Sequence, residues 1–488
     1  MAGRAQGGSR ALGLAAAAVA SLCLACQPSR RPNVILFSVD SLRPDHLGCY
    51  GYSRETSPAI DRLAGEGTLF ESAISSTSWT LPAHAALLTG LPDRVHGTDR
   101  DEHPLDESRQ TLAESLRGAG YHTAGFFSGP FLDPSFGLSQ GFDRYEDCTA
   151  FGAELARRLA ESPLADPRTE PGALANLGAS RVGYEDVTNA RVESAVLAWL
   201  AGAPPEPFFL FVHFWDVHYD YIPPPPYDTM FDPHYEGPVD GRQLRHAAER
   251  PQGWNDRDVD HLRALYDGEI RWTDDTIGRI TTALEKDRLL DRSILVLTAD
   301  HGEAFYEHGR FGHRWTVYRE EIAIPLVMRF PGNVPARRRV REAVSIVDVA
   351  PTILDLAGLP PLPGALGRTL VPLLRGATFP ADTLVAELVV PGRDAHLLAL
   401  QRPAWKAIID LTRTEGNLGV FDLRSDPNET DPRGTENGPV SESELQQAYR
   451  ETTSRLAKAA AALPAPRPRA QPIPKVMKEH LRSLGYVE

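Results

Sequence analysis

The sequence is poor in cysteine, and this scarcity excludes several classes of protein. Two of the four cysteines in its 488 residues fall within the first 26 residues, and no CxxC pair or zinc-ribbon spacing occurs. A disulfide-stapled scaffold and a zinc-ribbon protein are therefore excluded. The two later cysteines, Cys49 and Cys148, allow either one disulfide bridge or two unpaired buried thiols.

The sequence also lacks an excess of basic residues and a series of long hydrophobic runs. Basic residues number 51 and acidic residues 65, which gives a net charge of −14. Proteins that bind nucleic acid by neutralising its phosphates have the opposite balance, so no nucleic-acid partner is expected. Hydrophobic residues make up 42% of the chain, which excludes wholesale disorder, and the runs do not suit a polytopic membrane protein.

Residues 1–26 are predicted to form a lipoprotein signal peptide. Arg4 and Arg10 precede a short apolar run over residues 11–25, an order that is typical of export signals. A small residue precedes Cys26, as in a bacterial lipobox. The sequence therefore predicts export to a bacterial cell envelope with a lipid on Cys26 as the only membrane contact, and a plain signal peptide is the alternative.

Buried-type strands alternate with helices along most of the remaining chain. Continuous apolar runs predict strands at residues 34–40, 208–214, 294–300 and 325–330, and helices are expected at residues 57–64, 112–119 and 344–356. Such an order predicts an α/β fold with a largely parallel sheet covered on both faces. Residues 151–183 have a weak pattern and are interpreted as an insertion or lid.

A smaller C-terminal unit is predicted for residues 379–488. It contains short strand candidates at residues 385–390, 397–400 and 405–409, a helix at residues 442–461 and a proline-rich linker at residues 464–474. The combination of short strands with a helix predicts an α+β subdomain.

Two aspartates end buried strands, and they are the first candidates for metal ligands. Asp40 closes the first strand and Asp300 a later one, with His301 directly after it. Ligands of parallel sheets bind beyond the carboxyl ends of the strands, so these side chains are expected to meet. Together with the hydroxyl of Thr80 they form a mixed oxygen and nitrogen set, which suits one divalent ion of Zn, Mn or Ca.

Thr80 is the candidate nucleophile. Pro82 and the apolar residues 85–88 indicate that a helix begins near Thr80. A hydroxyl at the amino end of a helix faces unpaired N–H groups and the positive end of the dipole, which suits attack on an anionic ester. Taken alone, the same position is more typical of a residue that only caps the helix.

Further candidates lie close to these positions in the sequence. His218 and His313 are candidate proton donors to a leaving oxygen. Substrate-binding roles are predicted for His84, Arg43 and Asp216, although a surface ion pair is the alternative for Arg43.

The order and spacing of these motifs resemble the sulfatase family of the alkaline phosphatase superfamily. The similarity covers residues 32–376 and part of the tail, through the stretches PNVILFSVDSLRPDHLGCYGY, TSPAIDRLAGEGTLFESA, LPAHAALLTGLPDRVHG, LRGAGYHTAGFF, GFDRY, PFFLFVHFWDVH, YDGEIRWTDDTIGRI, ILVLTADHGEAFYEHGRFGH and FDLRSDPNET. The resemblance implies an alkaline-phosphatase-like fold with a mixed, mostly parallel central sheet flanked by helices. It also implies a catalytic domain over residues 32–376.

The resemblance assigns roles to matching positions. It implies metal ligation by Asp40, Asp300 and His301, a nucleophile at Thr80, and substrate contact by His218. His313 stands where the family has a lysine that contacts the leaving oxygen.

The sequence departs from the family at the nucleophile. Sulfatases use a formylglycine made from Cys or Ser in a C/S-x-P-x-R box, whereas this box begins with Thr80 and ends with His84. Threonine cannot give that aldehyde. Ser41 also replaces a second aspartate. The Thr-x-Pro-x-His box resembles that of nucleotide pyrophosphatase/phosphodiesterases, and the reduced ligand set resembles the single-metal site of lipoteichoic-acid synthases and phosphoethanolamine transferases.

The sequence therefore predicts a metal-dependent hydrolase of anionic esters, with phosphoesters favoured over sulfate esters. The substrate is expected to be a sulfated or phosphorylated small molecule, lipid or glycan. Two alternatives stay open at this stage: a membrane-anchored phosphotransferase, and a sulfatase-like binding protein without activity.

Overall fold

The computed structural model of the protein describes residues 31–101, 103–149, 187–242, 250–380, 382–390, 394–413, 417–465, 477–478 and 481. The predicted signal peptide with Cys26, the insertion at residues 151–183 and most of the proline-rich linker lie outside the described residues. Residues Asn33–Glu488 cluster into one compact unit. The boundary predicted between residues 376 and 379 stays a prediction.

The strands of the protein fall into three sheets. Their bounds are β1 Asn33–Val39, β2 Thr68–Ile74, β3 His122–Phe127, β4 Arg144–Asp147, β5 Phe208–Phe214, β6 Ser293–Ala299, β7 Ala304–Phe305, β8 Phe311–Gly312, β9 Ala323–Arg329, β10 Arg338–Val340, β11 Val344–Ser345, β12 Leu384–Val389, β13 His396–Arg402, β14 Trp405–Asp410 and β15 Asn417–Asp422.

The described helices lie between and after these strands. Their bounds are α1 Pro58–Glu66, α2 Thr80–Thr89, α3 Asp93–His96, α4 Leu112–Gly118, α5 Asn189–Ala201, α6 Tyr227–Met230, α7 Asp256–Lys286, α8 Arg319–Ile322, α9 Val349–Leu356, α10 Val371–Leu374 and α11 Glu442–Ala462.

The large sheet has the order β10-β2-β9-β6-β1-β5-β3-β4, with β11 also paired to β2. Its central strands β6, β1, β5 and β3 run parallel, and β9 runs antiparallel to both β6 and β2. All residues of β1, β5 and β6 are buried, as continuous apolar runs predict for strands covered on both faces. The predicted mixed, mostly parallel sheet flanked by helices is confirmed.

The arrangement of the central strands decides where the functional side chains go. β1 lies between β6 and β5, and Val39 is in register with Ala299 on one side and Phe214 on the other. The residues that follow these three strands therefore emerge side by side at one edge of the sheet.

The C-terminal region forms its own antiparallel sheet in the order β12-β13-β14-β15. The first three strands match the predicted ones, and β15 is an addition. The predicted helix over residues 344–356 is wrong in its first part. Val344 and Ser345 pair with β2, a short 3-10 turn follows at Ile346–Asp348, and the helix begins only at Val349.

The sequence left open whether Cys49 and Cys148 form a disulfide bridge. Both are free thiols, so the bridged alternative is wrong.

Among the described residues, no helix combines the length and the apolar composition that crossing a membrane requires.

Candidate active site

Two buried carboxylates meet at the edge of the sheet where β1 and β6 end. Asp40 follows β1 and Asp300 follows β6, and they are 1% and 0% exposed. The amide of Ser41 donates to Asp300 Oδ1 at 3.1 Å, and the Ser41 hydroxyl donates to Asp40 Oδ1 at 2.8 Å. Ser41 adopts a left-handed backbone with a φ of 55°, which is unfavourable for a residue with a Cβ. The backbone thus accepts strain to hold the two carboxylates together.

Thr80 reaches this cluster from the first residue of α2. Its hydroxyl donates toward Asp40 Oδ2 at 3.4 Å and lies 3.3 Å from His301 Nε2. All ten residues of α2 are buried, so the apolar helix is fixed against the sheet and aims its amino end at the two aspartates. The structure therefore brings together Asp40, Thr80, Asp300 and His301, as the sequence predicted.

Two histidines turn their Nε2 atoms toward the carboxylates. His301 Nδ1 lies 2.9 Å from the carbonyl of Gly302, and His213 Nδ1 lies 2.7 Å from the carbonyl of Ser128. A carbonyl only accepts, so Nδ1 carries the proton in both rings. In the neutral rings Nε2 therefore carries a lone pair. His301 Nε2 lies 3.5 Å from Asp300 Oδ2, and His213 Nε2 lies 3.5 Å from Asp40 Oδ2.

The cluster fits a divalent cation. One ligand atom each from Asp40, Asp300 and His301 lies within 4.8 Å of the others, and all three residues are buried. Asp300 Oδ2 and His213 Nε2 are buried atoms without a hydrogen-bond partner among the described residues. Buried acceptors without donors are costly unless a cation is bound between them. The donor set of oxygen and imidazole nitrogen suits Zn, Mn or Ca.

His84 and His213 form a second grouping with Asp300 within the same distance, but both nitrogens of His84 are engaged. Nδ1 donates to the Thr80 carbonyl at 2.8 Å, and Nε2 lies 3.0 Å from the Ser38 hydroxyl. Burial and then His213 lower the pKa of His84 to about 3, so the ring stays neutral. The ring lies one turn after Thr80 in the same helix and holds the Thr80 carbonyl.

The carboxylates of the cluster differ in acidity. Burial opposes ionisation of Asp40, but the imidazoles of His213, His218 and His301 around it outweigh burial and hold its pKa well below the usual range. Burial and the neighbouring Asp40 raise the pKa of Asp300 well above the usual range. The repulsion between the two groups is the electrostatic reason why they require a shared positive charge.

His218 and His313 lie next to each other, and His313 lies beside His301. The ring centroid of His313 is 4.3 Å from that of His301 and 4.9 Å from that of His218. Glu303 Oε1 lies 3.0 Å from His313 Nδ1. Burial lowers the pKa of His218 to about 4 and that of His313 well below its usual value, and burial raises the pKa of Glu303 to about 8.

Arg43 and Asp216 are placed near the site, but their groups are engaged elsewhere. The guanidinium of Arg43 is 2.8 Å from Asp45 and 2.6 Å from Glu307. Asp216 accepts hydrogen bonds from the Thr188 hydroxyl and amide, from the Asn189 amide and from the Trp272 indole. Substrate binding by these two residues, as by His84, stays a prediction.

Sequence reasoning assigned no specific role to His213, Ser41 or Glu303. His213 is in register with Ser38 of β1, and this pairing across the sheet places it beside Asp40. The sequence shows only that His213 lies in an apolar run typical of a buried strand. Nothing in the sequence indicates the left-handed turn at Ser41.

The site combines buried carboxylates and imidazoles at the carboxyl edge of an α/β sheet with a hydroxyl at the amino end of a helix. This combination is that of a metal-dependent hydrolase. The family model described as Sulfatase matches residues 32–359. The chain belongs to the sulfatase family. A second model, described as N-sulphoglucosamine sulphohydrolase, C-terminal, matches residues 306–458.

Relatives and solved structures agree with this assignment. Arylsulfatase K of Mus musculus is 25% identical over 87% of this chain and 80% of its own length. The multifunctional alkaline phosphatase superfamily protein PehA of Trinickia caryophylli is 28% identical over 70% of this chain and 77% of its own. The phosphonate monoester hydrolase of Agrobacterium radiobacter has a similar fold, with a TM-score of 0.69, 24% identity and coverage of 88% and 96%.

The chain is thus an ester-hydrolysing enzyme of a metal-dependent family. Its buried His/Asp cluster is the part of the described structure that suits the metal. The alternative of a binding protein without activity gains no support.

The contacts of Asp216 give the first testable prediction. Replacing it in Asp216→Ala removes the acceptors at the amino end of α5, so we expect the free energy of unfolding to fall by about 2 kcal/mol while KM stays unchanged. Denaturant unfolding and steady-state kinetics measure both, with Asp240→Ala as the exposed control. A large rise in KM without a loss of stability would instead support the substrate-binding role.

The cluster also predicts which residues hold the metal. Asp300→Asn and His301→Gln are expected to weaken divalent-ion binding by more than about 100-fold, because each removes a ligand atom. Elemental analysis and calorimetric titration with Zn, Mn and Ca measure this. Asp45→Asn, which alters the pair with Arg43 only, is the control and should bind normally. Full metal content in both ligand variants would contradict the assignment.

Proposed function

We propose that this enzyme hydrolyses phosphorus esters by forming a covalent intermediate on Thr80, with sulfate esters as weaker substrates. The observation that carries the proposal is the place of the Thr80 hydroxyl, between Asp40 and His301 at the amino end of a fully buried helix. A hydroxyl at that point is near both the acidic cluster and the unpaired N–H groups of the first helical turn.

The identity of the nucleophile favours phosphorus over sulfur. A formylglycine releases sulfate by elimination from a hemiacetal, and a threonine has no such route. A phosphoryl group on a threonine oxygen is hydrolysed directly by water. The names of the relatives include both an arylsulfatase and a multifunctional superfamily member, so the choice depends on the residue at position 80.

The reaction requires two displacements at phosphorus. In the first, Thr80 Oγ releases its proton to solvent and forms a bond to phosphorus while the bond to the leaving oxygen breaks. His313 or His218, held as a cation by the bound anionic ester, gives the leaving oxygen a proton. In the second, a water oxygen bonds to phosphorus and returns a proton to that histidine, while the bond to Thr80 Oγ breaks and this oxygen takes up a proton from solvent. The products are the alcohol, the phosphoryl acid and the free threonine.

Other residues of the chain orient these groups. His84 holds the Thr80 carbonyl, Ser41 bridges the two carboxylates, and Glu303 orients the ring of His313. Asp40, Asp300, His301 and Thr80 would hold a divalent ion, which would supply Lewis acidity to the hydroxyl and to the ester oxygens.

The substrate proposed is an anionic ester of a small molecule, lipid or glycan. One solved structure of similar fold, with a TM-score of 0.67 and 20% identity, is a complex with its substrate D-glucosamine-2-N,6-O-disulfate. The fold thus accommodates a charged sugar ester. Action in the cell envelope with a lipid on Cys26 is part of the proposal and rests on the sequence alone.

The nucleophile is tested by two substitutions at one position. Thr80→Ala is expected to reduce kcat for a phosphate or phosphonate ester by at least about 1000-fold, because it removes the attacking oxygen. Thr80→Ser keeps the hydroxyl and should retain a large part of the activity. The measurement is hydrolysis of matched 4-nitrophenyl phosphate, phosphonate and sulfate esters.

The same experiment separates the alternatives. Mass spectrometry of the trapped intermediate should show a phosphoryl group on Thr80. Undiminished activity of Thr80→Ala would contradict the mechanism, and a preference for sulfate would contradict the phosphorus assignment. Little free phosphate in the presence of an added alcohol acceptor would indicate the phosphotransferase.

The proposed leaving-group acid, His313, gives a further prediction. His313→Gln is expected to slow hydrolysis of phenyl esters by about 100-fold and that of 4-nitrophenyl esters far less, because a good leaving group needs no proton. The ratio of kcat/KM for the two esters measures this. His103→Gln, at an exposed histidine that pairs with Asp99, is the control and should leave the ratio unchanged.

A further inference from the structure

His313 is carried by a small hairpin that contacts Glu429, in the segment that follows β15 of the C-terminal sheet. Strands β7 and β8 form the hairpin, His308 lies in its turn, and His313 follows β8 directly. Two strands of two residues each bury too little surface to hold a fixed position on their own. The position of His313 therefore depends on what the hairpin contacts.

The turn of the hairpin is fastened through His308. Its Nδ1 lies 2.6 Å from Glu320 Oε1, and its Nε2 lies 2.8 Å from the backbone carbonyl of Glu429. The ring stacks on Tyr318 at 3.8 Å with an interplanar angle of 1°. Both nitrogens face acceptors, so the ring is held best as a cation. Burial opposes the charge, but Glu320 and Glu429 outweigh it and raise the pKa of His308.

Glu429 joins the two regions through its side chain as well. Its Oε2 accepts the backbone amide of Arg319 at 3.0 Å, and its two oxygens lie 2.9 and 2.8 Å from Lys406 Nζ of β14. The side chains of Lys406 and Glu429 are 0% and 2% exposed. The backbone of Glu429 is left-handed, with a φ of 60°. A buried ion pair on a strained residue is costly and gives a single defined geometry.

A second contact reaches the nucleophile side. The amide of Glu387 in β12 donates to the carbonyl of Ser76 at 2.7 Å, and Ser76 lies in the segment that leads from β2 to Thr80. The carboxylate of Glu387 also pairs with Arg94 of α3 and with His396. The C-terminal sheet thus contacts the segment before Thr80 and the hairpin before His313.

We propose that Glu429 and Lys406 are positioning residues for His313, so that the C-terminal sheet sets the distance between the leaving-group acid and the nucleophile. The inference rests on the proposed function in one respect, the role of His313 as the acid. Glu429 acts from 116 residues further along the chain (429 − 313). It touches neither Thr80 nor the metal ligands in any contact that the structure shows.

The test replaces the pair in Lys406→Met/Glu429→Leu. Changing both partners to apolar residues of similar size avoids a buried unpaired charge, so the fold should survive. The readout is the ratio of kcat/KM for 4-nitrophenyl and phenyl esters of the class that the wild type hydrolyses. We expect the ratio to rise by at least about 10-fold, because a displacement of about 1 Å is enough to impair proton transfer.

Three companions make the test specific. Arg402→Met/Glu444→Leu replaces a partly exposed pair of the C-terminal region in the same way and should leave the ratio unchanged. His313→Gln should raise the ratio, and the triple variant with Lys406→Met/Glu429→Leu should raise it no further. Thermal unfolding and metal content, measured for every variant, show that the fold and the cluster are intact.

The outcomes separate the inference from the function. If His313→Gln raises the ratio and the pair variant does not, the positioning role is overturned and the mechanism stands. If His313→Gln leaves the ratio unchanged, the acid is not His313 and both are overturned. If the triple variant loses much more than His313→Gln alone, the pair acts by another route, which also overturns the inference.

Discussion

The mutual repulsion of Asp40 and Asp300 is the constraint that organises the active site. Parallel strands β1 and β6 end side by side, so their terminal carboxylates are forced together at full burial. Ser41 donates hydrogen bonds to oxygens of both carboxylates. The imidazoles of His213 and His301 face the remaining oxygens. A divalent ion completes this arrangement because it supplies positive charge without a proton. Thr80, the proposed nucleophile, belongs to the same arrangement because its hydroxyl faces Asp40.

Much of the fold and half of the site could be predicted from the sequence because both follow from local patterns. Apolar runs that end in Asp40 and Asp300 indicate buried parallel strands, and ligand groups belong at their carboxyl ends. His213 could not be assigned in this way, because its importance depends on the register of β5 against β1. Likewise, Val344 and Ser345 look helical in sequence but pair with β2, which no local pattern shows.

The site has two halves that are supported in different ways. The half with Thr80 and the candidate metal ligands lies on central strands and on a helix that is wholly buried. The half with His313, the proposed acid, is a short hairpin. Glu303 contacts the ring of His313, and the segment around Glu429 holds the turn of the hairpin through His308. The position of His313 therefore depends on contacts made outside the central sheet.

The charges of the molecule make substrate binding dependent on the cation. The chain has a net charge of −14, so its overall field repels an anionic ester. The nearby guanidinium groups do not reverse this locally, because Arg43 is paired with Asp45 and Glu307, and Arg314 with Asp101. With two carboxylates at its centre, the site is expected to attract an anionic ester only when a divalent ion is bound. Metal and substrate therefore bind with positive coupling, and each must raise the affinity for the other by the same factor.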